Sequence, residues 1–171
     1  VLAGPGVVAA QDLRVTLERG AVVAADASRV EVRWTVTNAG SRTAQLLRWQ
    51  TPLEGLRSNM FTVRCNGVEV AYLGPLVKRS RPSAADYVAL PAGRPRSATL
   101  DLAAAYAFRG PTCTIEWRGR LMDVVDGAAP PASGPPRAWR RVELQAETVT
   151  LDLTADGAGA TVGCSAQQTT I

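Results

Sequence analysis

The dipeptide Asn66-Gly67 separates two runs in which apolar and polar residues alternate. Phe61-Thr62-Val63-Arg64-Cys65 precedes it and Val68-Glu69-Val70-Ala71-Tyr72 follows it. Alternation with period two sends successive side chains to opposite faces of an extended chain. Asn and Gly both tolerate the positive φ angles of a type I′ turn, so the pair predicts a tight antiparallel hairpin. The same pattern recurs along the chain. Leu13, Val15 and Leu17 alternate with Arg14, Thr16 and Glu18; Val30, Val32, Trp34 and Val36 alternate with Glu31, Arg33, Thr35 and Thr37, which places Trp34 on a core face. Further strands are predicted over residues 44–49, 87–90, 97–102, 112–118 and 142–153. Turn formers such as Asn38-Ala39-Gly40, Thr51-Pro52, Gly74-Pro75 and Pro91-Ala92-Gly93 stand between them. Short alternating runs broken by turn residues every 8–12 positions predict an all-β chain, an antiparallel Ig-like β-sandwich.

Helices have little room here. The longest helix-compatible stretch, residues 98–108, reads equally as a strand followed by a corner, and eleven Pro and fifteen Gly favour turns. At 171 residues the chain is long enough for one domain with a buried core. Residues 12–153 are assigned to the sandwich, with a Pro/Ala/Gly-rich insertion at 127–136 too poor in bulky apolar groups to pack. Residues 1–11 read as an N-terminal extension or as the remnant of a signal peptide. Residues 154–171 read as a flexible C-terminal segment. No run of about 18 apolar residues is present, so no helical membrane span is expected.

The chain contains no histidine. That removes Ser-His-Asp and Cys-His catalysis and the H-E-x-x-H zinc sites, and no Gly-rich phosphate loop is present either. Carboxylate pairs remain as a formal catalytic option, but none stands out from ordinary strand-surface acids. The chain by itself is therefore expected to be neither an enzyme nor the holder of a cofactor. Its net charge is +4, and its arginines are scattered at strand ends apart from Lys78-Arg79-Ser80-Arg81 and the cluster Arg137, Arg140, Arg141. A nucleic-acid surface would concentrate them on one face with interleaved aromatics, so no nucleic-acid partner is expected.

There are three cysteines. Cys65 ends one strand-like run and Cys113 sits inside another. In an oxidising compartment they can bridge; two reduced, buried thiols fit the spacing equally. Cys164 has no evident partner.

Val36-Thr37-Asn38-Ala39-Gly40, Thr51-Pro52-Leu53-Glu54-Gly55, Phe61-Thr62-Val63, the ten residues 66–75, Lys78-Arg79, Pro91-Ala92-Gly93 and the nine residues 100–108 occur in that order. Together they resemble the N-terminal domain of deuterolysin-type zinc endopeptidases, the aspzincins. The resemblance covers residues 12–118. A second piece, Val162-Gly163-Cys164-Ser165-Ala166-Gln167-Gln168, is similar to the opening of that family's catalytic domain. Cys65 and Cys113 are not part of the family pattern, residues 119–153 do not match it, and none of its zinc ligands has a position here.

The resemblance implies a secreted or periplasmic propeptide that docks on the cognate zinc peptidase catalytic domain, inhibits it and assists its folding. Zinc is expected only in that catalytic domain. The joint Asp156, Gly157, Ala158, Gly159 and Ala160 would then lie near the processing boundary. Interfaces favour aromatic and arginine anchors, so the candidate docking residues are Trp49, Thr51, Pro52 and Leu53, followed by Lys78 and Arg79. The competing expectation is a stand-alone secreted Ig-like binding or adhesion module, since fold does not fix function.

Overall fold

The computed structural model describes residues 12–132 and 139–154. The extension at 1–11, part of the 127–136 insertion, Cys164 and the proposed processing joint at Asp156, Gly157, Ala158, Gly159 and Ala160 lie outside the described residues. Strands β1 (Leu13–Val23), β2 (Arg29–Asn38), β3 (Ala44–Leu47), β4 (Phe61–Cys65), β5 (Val68–Glu69), β6 (Tyr87–Leu90), β7 (Pro95–Asp101), β8 (Thr112–Asp126), β9 (Arg140–Gln145) and β10 (Val149–Asp152) follow in order. All pair antiparallel. β1-β2-β7 form one sheet, and β5-β4-β8-β3-β6 form the other, in which β9 and β10 also pair with β8. The all-β, antiparallel expectation holds.

β8 is the spine of the larger sheet. Its first half pairs with β4, from Phe61↔Trp117 to Cys65↔Cys113, and with β10, from Val149↔Ile115 to Asp152↔Thr112. Its second half pairs with β9, from Arg118↔Gln145 onward, and with β3 at Gln45↔Val125. Cys113, Ile115, Trp117 and Leu121 share one parity and are all buried, as period-two geometry requires. Val124 is also buried although its parity differs. A register shift between Leu121 and Val124 re-aims the chain there.

The facing sheet contributes Val30, Val32, Trp34 and Val36, each fully buried. These side chains join Phe61, Val63, Leu100, Leu102, Leu144 and Leu151 in a core shared by both sheets. The predicted inward placement of Trp34 is therefore observed.

Several boundaries move, each for a physical reason. The strand expected over 44–49 ends at Leu47, where Arg48–Gln50 and Pro52–Glu54 turn into short 3-10 helices. The strand expected over 112–118 runs on to Asp126. Gly119 lies within it, and the absent side chain leaves space for the Trp117 indole, which lies over the glycine. The run 142–153 divides into β9 and β10 around residues 146–148. Residues 97–108 resolve as a strand and a corner: β7 ends at Asp101, whose carboxylate accepts from Ala103 N (3.1 Å) and Val30 N (2.9 Å).

The Asn66-Gly67 hairpin forms as expected, with φ of 51° and 78° at the two turn residues. Its second strand is shorter than the sequence suggests. Val70 N still donates to Val63 O (2.8 Å), but Tyr72 then leaves to bridge Tyr106.

Cys65 and Cys113 stand directly opposite on β4 and β8 and are joined by a disulfide (S–S 2.03 Å). Of the two states left open by the spacing, the bridged one is observed.

Candidate docking surface

The two segments singled out for docking meet in space. The guanidinium of Arg79 lies over the Trp49 ring, 5.3 Å from its centroid, and the same group is ion-paired with Glu54. A cation over an indole face is attracted by the ring quadrupole, and the carboxylate fixes the guanidinium from a second direction. Trp49 is half-buried and lies outside the core. Arg79 covers one face of its ring.

The segment beneath is anchored by its polar groups. Thr51 is fully buried; its hydroxyl donates to Arg48 O (2.8 Å) and accepts from Leu53 N (3.3 Å), capping the second 3-10 turn, and Pro52 fits the first position of that turn. Gln50 ties the turn to β8, accepting from Met122 N (2.9 Å) and donating to Asp123 (3.4 Å). Thr51 and Pro52 face inward and build the loop. Trp49 and the half-buried Leu53 are the members that solvent still reaches.

The segment that leads into Arg79 carries an apolar tract that sequence reading passed over. Leu73 is 73% exposed, Leu76 76% and Val77 42%. The tract is held in place at intervals. Leu73 N donates to Ala105 O (2.8 Å), Val77 N to Arg57 O (3.2 Å), and the Tyr72 hydroxyl to Pro75 O (2.8 Å). The Tyr72 ring folds over Gly74, where an added Cβ would lie 2.5 Å from the hydroxyl oxygen. The available signal was the Gly74-Pro75 pair. A segment broken there cannot continue a ladder, so its leucines have no sheet face to cover them.

The rim of the patch is basic. Arg48, Arg57, Lys78 and Arg81 are all exposed, and Lys78 makes no ion pair among the described residues. Asp86 lies within the field of Arg79 and Arg48. Its carboxylate is held below the usual range first by the backbone and side-chain hydrogen bonds of Ser83 and then by those two charges.

Other clefts offer less. One of about 400 Å³ lies between residues 24–27, Phe108, residues 110–111 and Leu153-Thr154, and it presents a single carboxylate, Asp26. No group of three His, Cys, Asp or Glu among the described residues is placed to hold a metal ion. None of the described helices is long and apolar enough to cross a membrane.

Over 106 residues the chain is 36% identical to a protein of Aeromonas hydrophila described as an extracellular protease. The match takes in 62% of this chain and 29% of that protein, so the chain spans less than a third of its relative's length. No family model matches the chain.

Proposed function

We propose that this chain is the propeptide of a secreted zinc endopeptidase of the aspzincin type, docking on the catalytic domain to inhibit it and to assist its folding. The observation that carries the proposal is the match to under a third of an extracellular protease by a chain without histidine. A segment related to part of a protease but lacking its usual donors is expected to serve the chemistry of another domain. The Cys65–Cys113 bridge supports an oxidising compartment, extracellular or periplasmic.

The surface centred on Trp49, Leu53 and Arg79, with the exposed Leu73 and Leu76 on the segment that leads into Arg79, has the make-up of an interface: aromatic and arginine anchors, apolar contacts and a charged rim. Its anchors are already held in position, which reduces the side-chain freedom lost on binding. A tethered module of this kind acts at high effective concentration until the tether is cut.

The test begins with the reading frame beyond Ile171. The proposal expects an H-E-x-x-H motif and a later Asp ligand there, and inhibition of that domain by this chain added in trans. Trp49→Ala and Leu76→Asp should each weaken inhibition by about tenfold or more while leaving the thermal midpoint of the free chain nearly unchanged. A stop codon directly after Ile171 would sink the propeptide reading and leave a secreted binding module that uses the same surface.

A further inference from the structure

We propose that the peptide bond between Lys78 and Arg79 is a limited-proteolysis site for a trypsin-like endopeptidase, one whose specificity pocket carries a carboxylate that receives lysine. Residues 75–81 are exposed without interruption and belong to no strand or helix. Among the described residues, the backbone groups of residues 78–81 make no hydrogen bond. An endopeptidase binds its substrate extended and pairs with its main chain, so unused N–H and C=O groups on an exposed segment are what it requires.

Three basic residues compete within this segment, and the structure separates them. Arg81 is followed by Pro82, whose ring constrains the backbone and removes the N–H at the scissile position. The Arg79 side chain is 29% exposed, stacked on Trp49 and paired with Glu54, so entering a specificity pocket would break both contacts. Lys78 is exposed and has no ion-pair partner among the described residues. It is the side chain free to enter the pocket. In the net reaction water adds across the bond: the Lys78 carbonyl carbon becomes a carboxylate, the C–N bond to Arg79 breaks, and the released Arg79 amine takes up a proton.

The cut would separate the exposed tract of Leu73, Leu76 and Val77 from the Arg79 anchor. Its consequence for docking rests on the function proposed above; the cleavage itself does not.

The experiment is limited digestion of the native chain by trypsin, followed by intact mass. A fragment ending at Lys78 should appear before any ending at Arg42, Arg57, Arg79 or Arg109. Lys78→Gln should slow cleavage at this bond by more than about tenfold without moving the thermal midpoint. Arg79→Ala, which releases the anchor, should keep Lys78 cleavable and add no delay. A first cut after any of those four arginines, or an unchanged rate in Lys78→Gln, overturns the site. If the chain is nicked at Lys78 yet inhibits the protease as well as the intact chain does, the site stands and the docking placement falls.

Discussion

The indole rings of Trp34 and Trp117 meet edge to face across the sandwich, 5.1 Å between centroids and 62° between planes. Trp34 comes from β2 in the three-stranded sheet and Trp117 from β8 in the larger one, and both are shielded from solvent. This contact joins the two layers through their two largest core side chains. Trp34→Ala should destabilise the fold by about 3–5 kcal/mol, the range for deleting a buried aromatic. Trp34→Phe should cost much less. Among the described residues the buried Trp34 Nε1–H has no hydrogen-bond partner, and phenylalanine removes that donor along with part of the ring. Urea denaturation of both variants with the disulfide intact measures the difference; equal losses would show that the pair does not govern packing between the sheets.

Gly119 is set by the same indole. A Cβ added there would sit 2.2 Å from the nearest Trp117 ring atom, closer than any non-bonded contact permits. Gly119→Ala should therefore destabilise by about 1–3 kcal/mol, although alanine normally suits a strand better than glycine. The double variant Gly119→Ala with Trp117→Phe should recover part of that loss. If it recovers none, the clash is not the cause.

The disulfide closes a sequence separation of 48 residues. Loop-closure entropy for such a separation amounts to about 4 kcal/mol at most. Replacing Cys65 and Cys113 together by alanine should lower the denaturation midpoint in proportion. The same shift should appear when the native chain is treated with a strong reductant, and the double variant should not respond to reductant. A native chain whose midpoint ignores reductant would contradict this account.

Tyr106 carries the buried polar contacts behind the exposed tract. Its hydroxyl donates to Asn59 Oδ1 (2.7 Å) and accepts from Phe61 N (3.3 Å), and burial pushes its ionisation up to about 12. An unfolded tyrosine ionises near 10. The native state thus holds the proton after the unfolded chain has lost it. The associated stability is complete below about pH 10 and is lost as pH rises through about 12, by about 2–3 kcal/mol. Tyr72 and Tyr87 are shifted in the same direction, also by burial. Tyr106→Phe should flatten this alkaline decline and cost about 1–3 kcal/mol near neutrality, where Phe61 N loses its partner. Stability curves from pH 7 to 12 test both effects, and an equally steep decline in the variant would refute the assignment.

Much of the fold was legible in the residues. The alternation of Val30, Val32, Trp34 and Val36 reported a buried face, and Asn66-Gly67 reported a hairpin, because both signals depend only on near neighbours. What near neighbours did not report is where a residue also serves a distant partner. Asn38 forms the expected turn, its Oδ1 accepting from Gly40 N (2.9 Å), but it is also buried, donating to Arg42 O (2.7 Å) and Leu90 O (2.9 Å) and so pinning the end of β2 to the end of β6. The strand expected over 112–118 runs on to Asp126, and nothing in the local sequence says that the Trp117 ring lies over Gly119.

The candidate surface divides in the same way. Trp49 and Arg79 could each be picked out by residue type, thirty positions apart, but nothing in their spacing says that the guanidinium covers the indole. That Thr51 and Pro52 face inward, and that Leu73 and Leu76 face outward, likewise follows from how the 3-10 turns lock onto β8 and how Tyr72 leaves its ladder to meet Tyr106. By itself the sequence determined the all-β class, the strand-forming runs and the inward placement of Trp34, because side-chain alternation and turn conformation are local properties of the chain. The tertiary structure alone decided the strand order, the closure of Cys65 on Cys113 and the meeting of the two loops. Those depend on pairings between residues far apart in the chain, selected by the burial and hydrogen bonding of the whole sandwich.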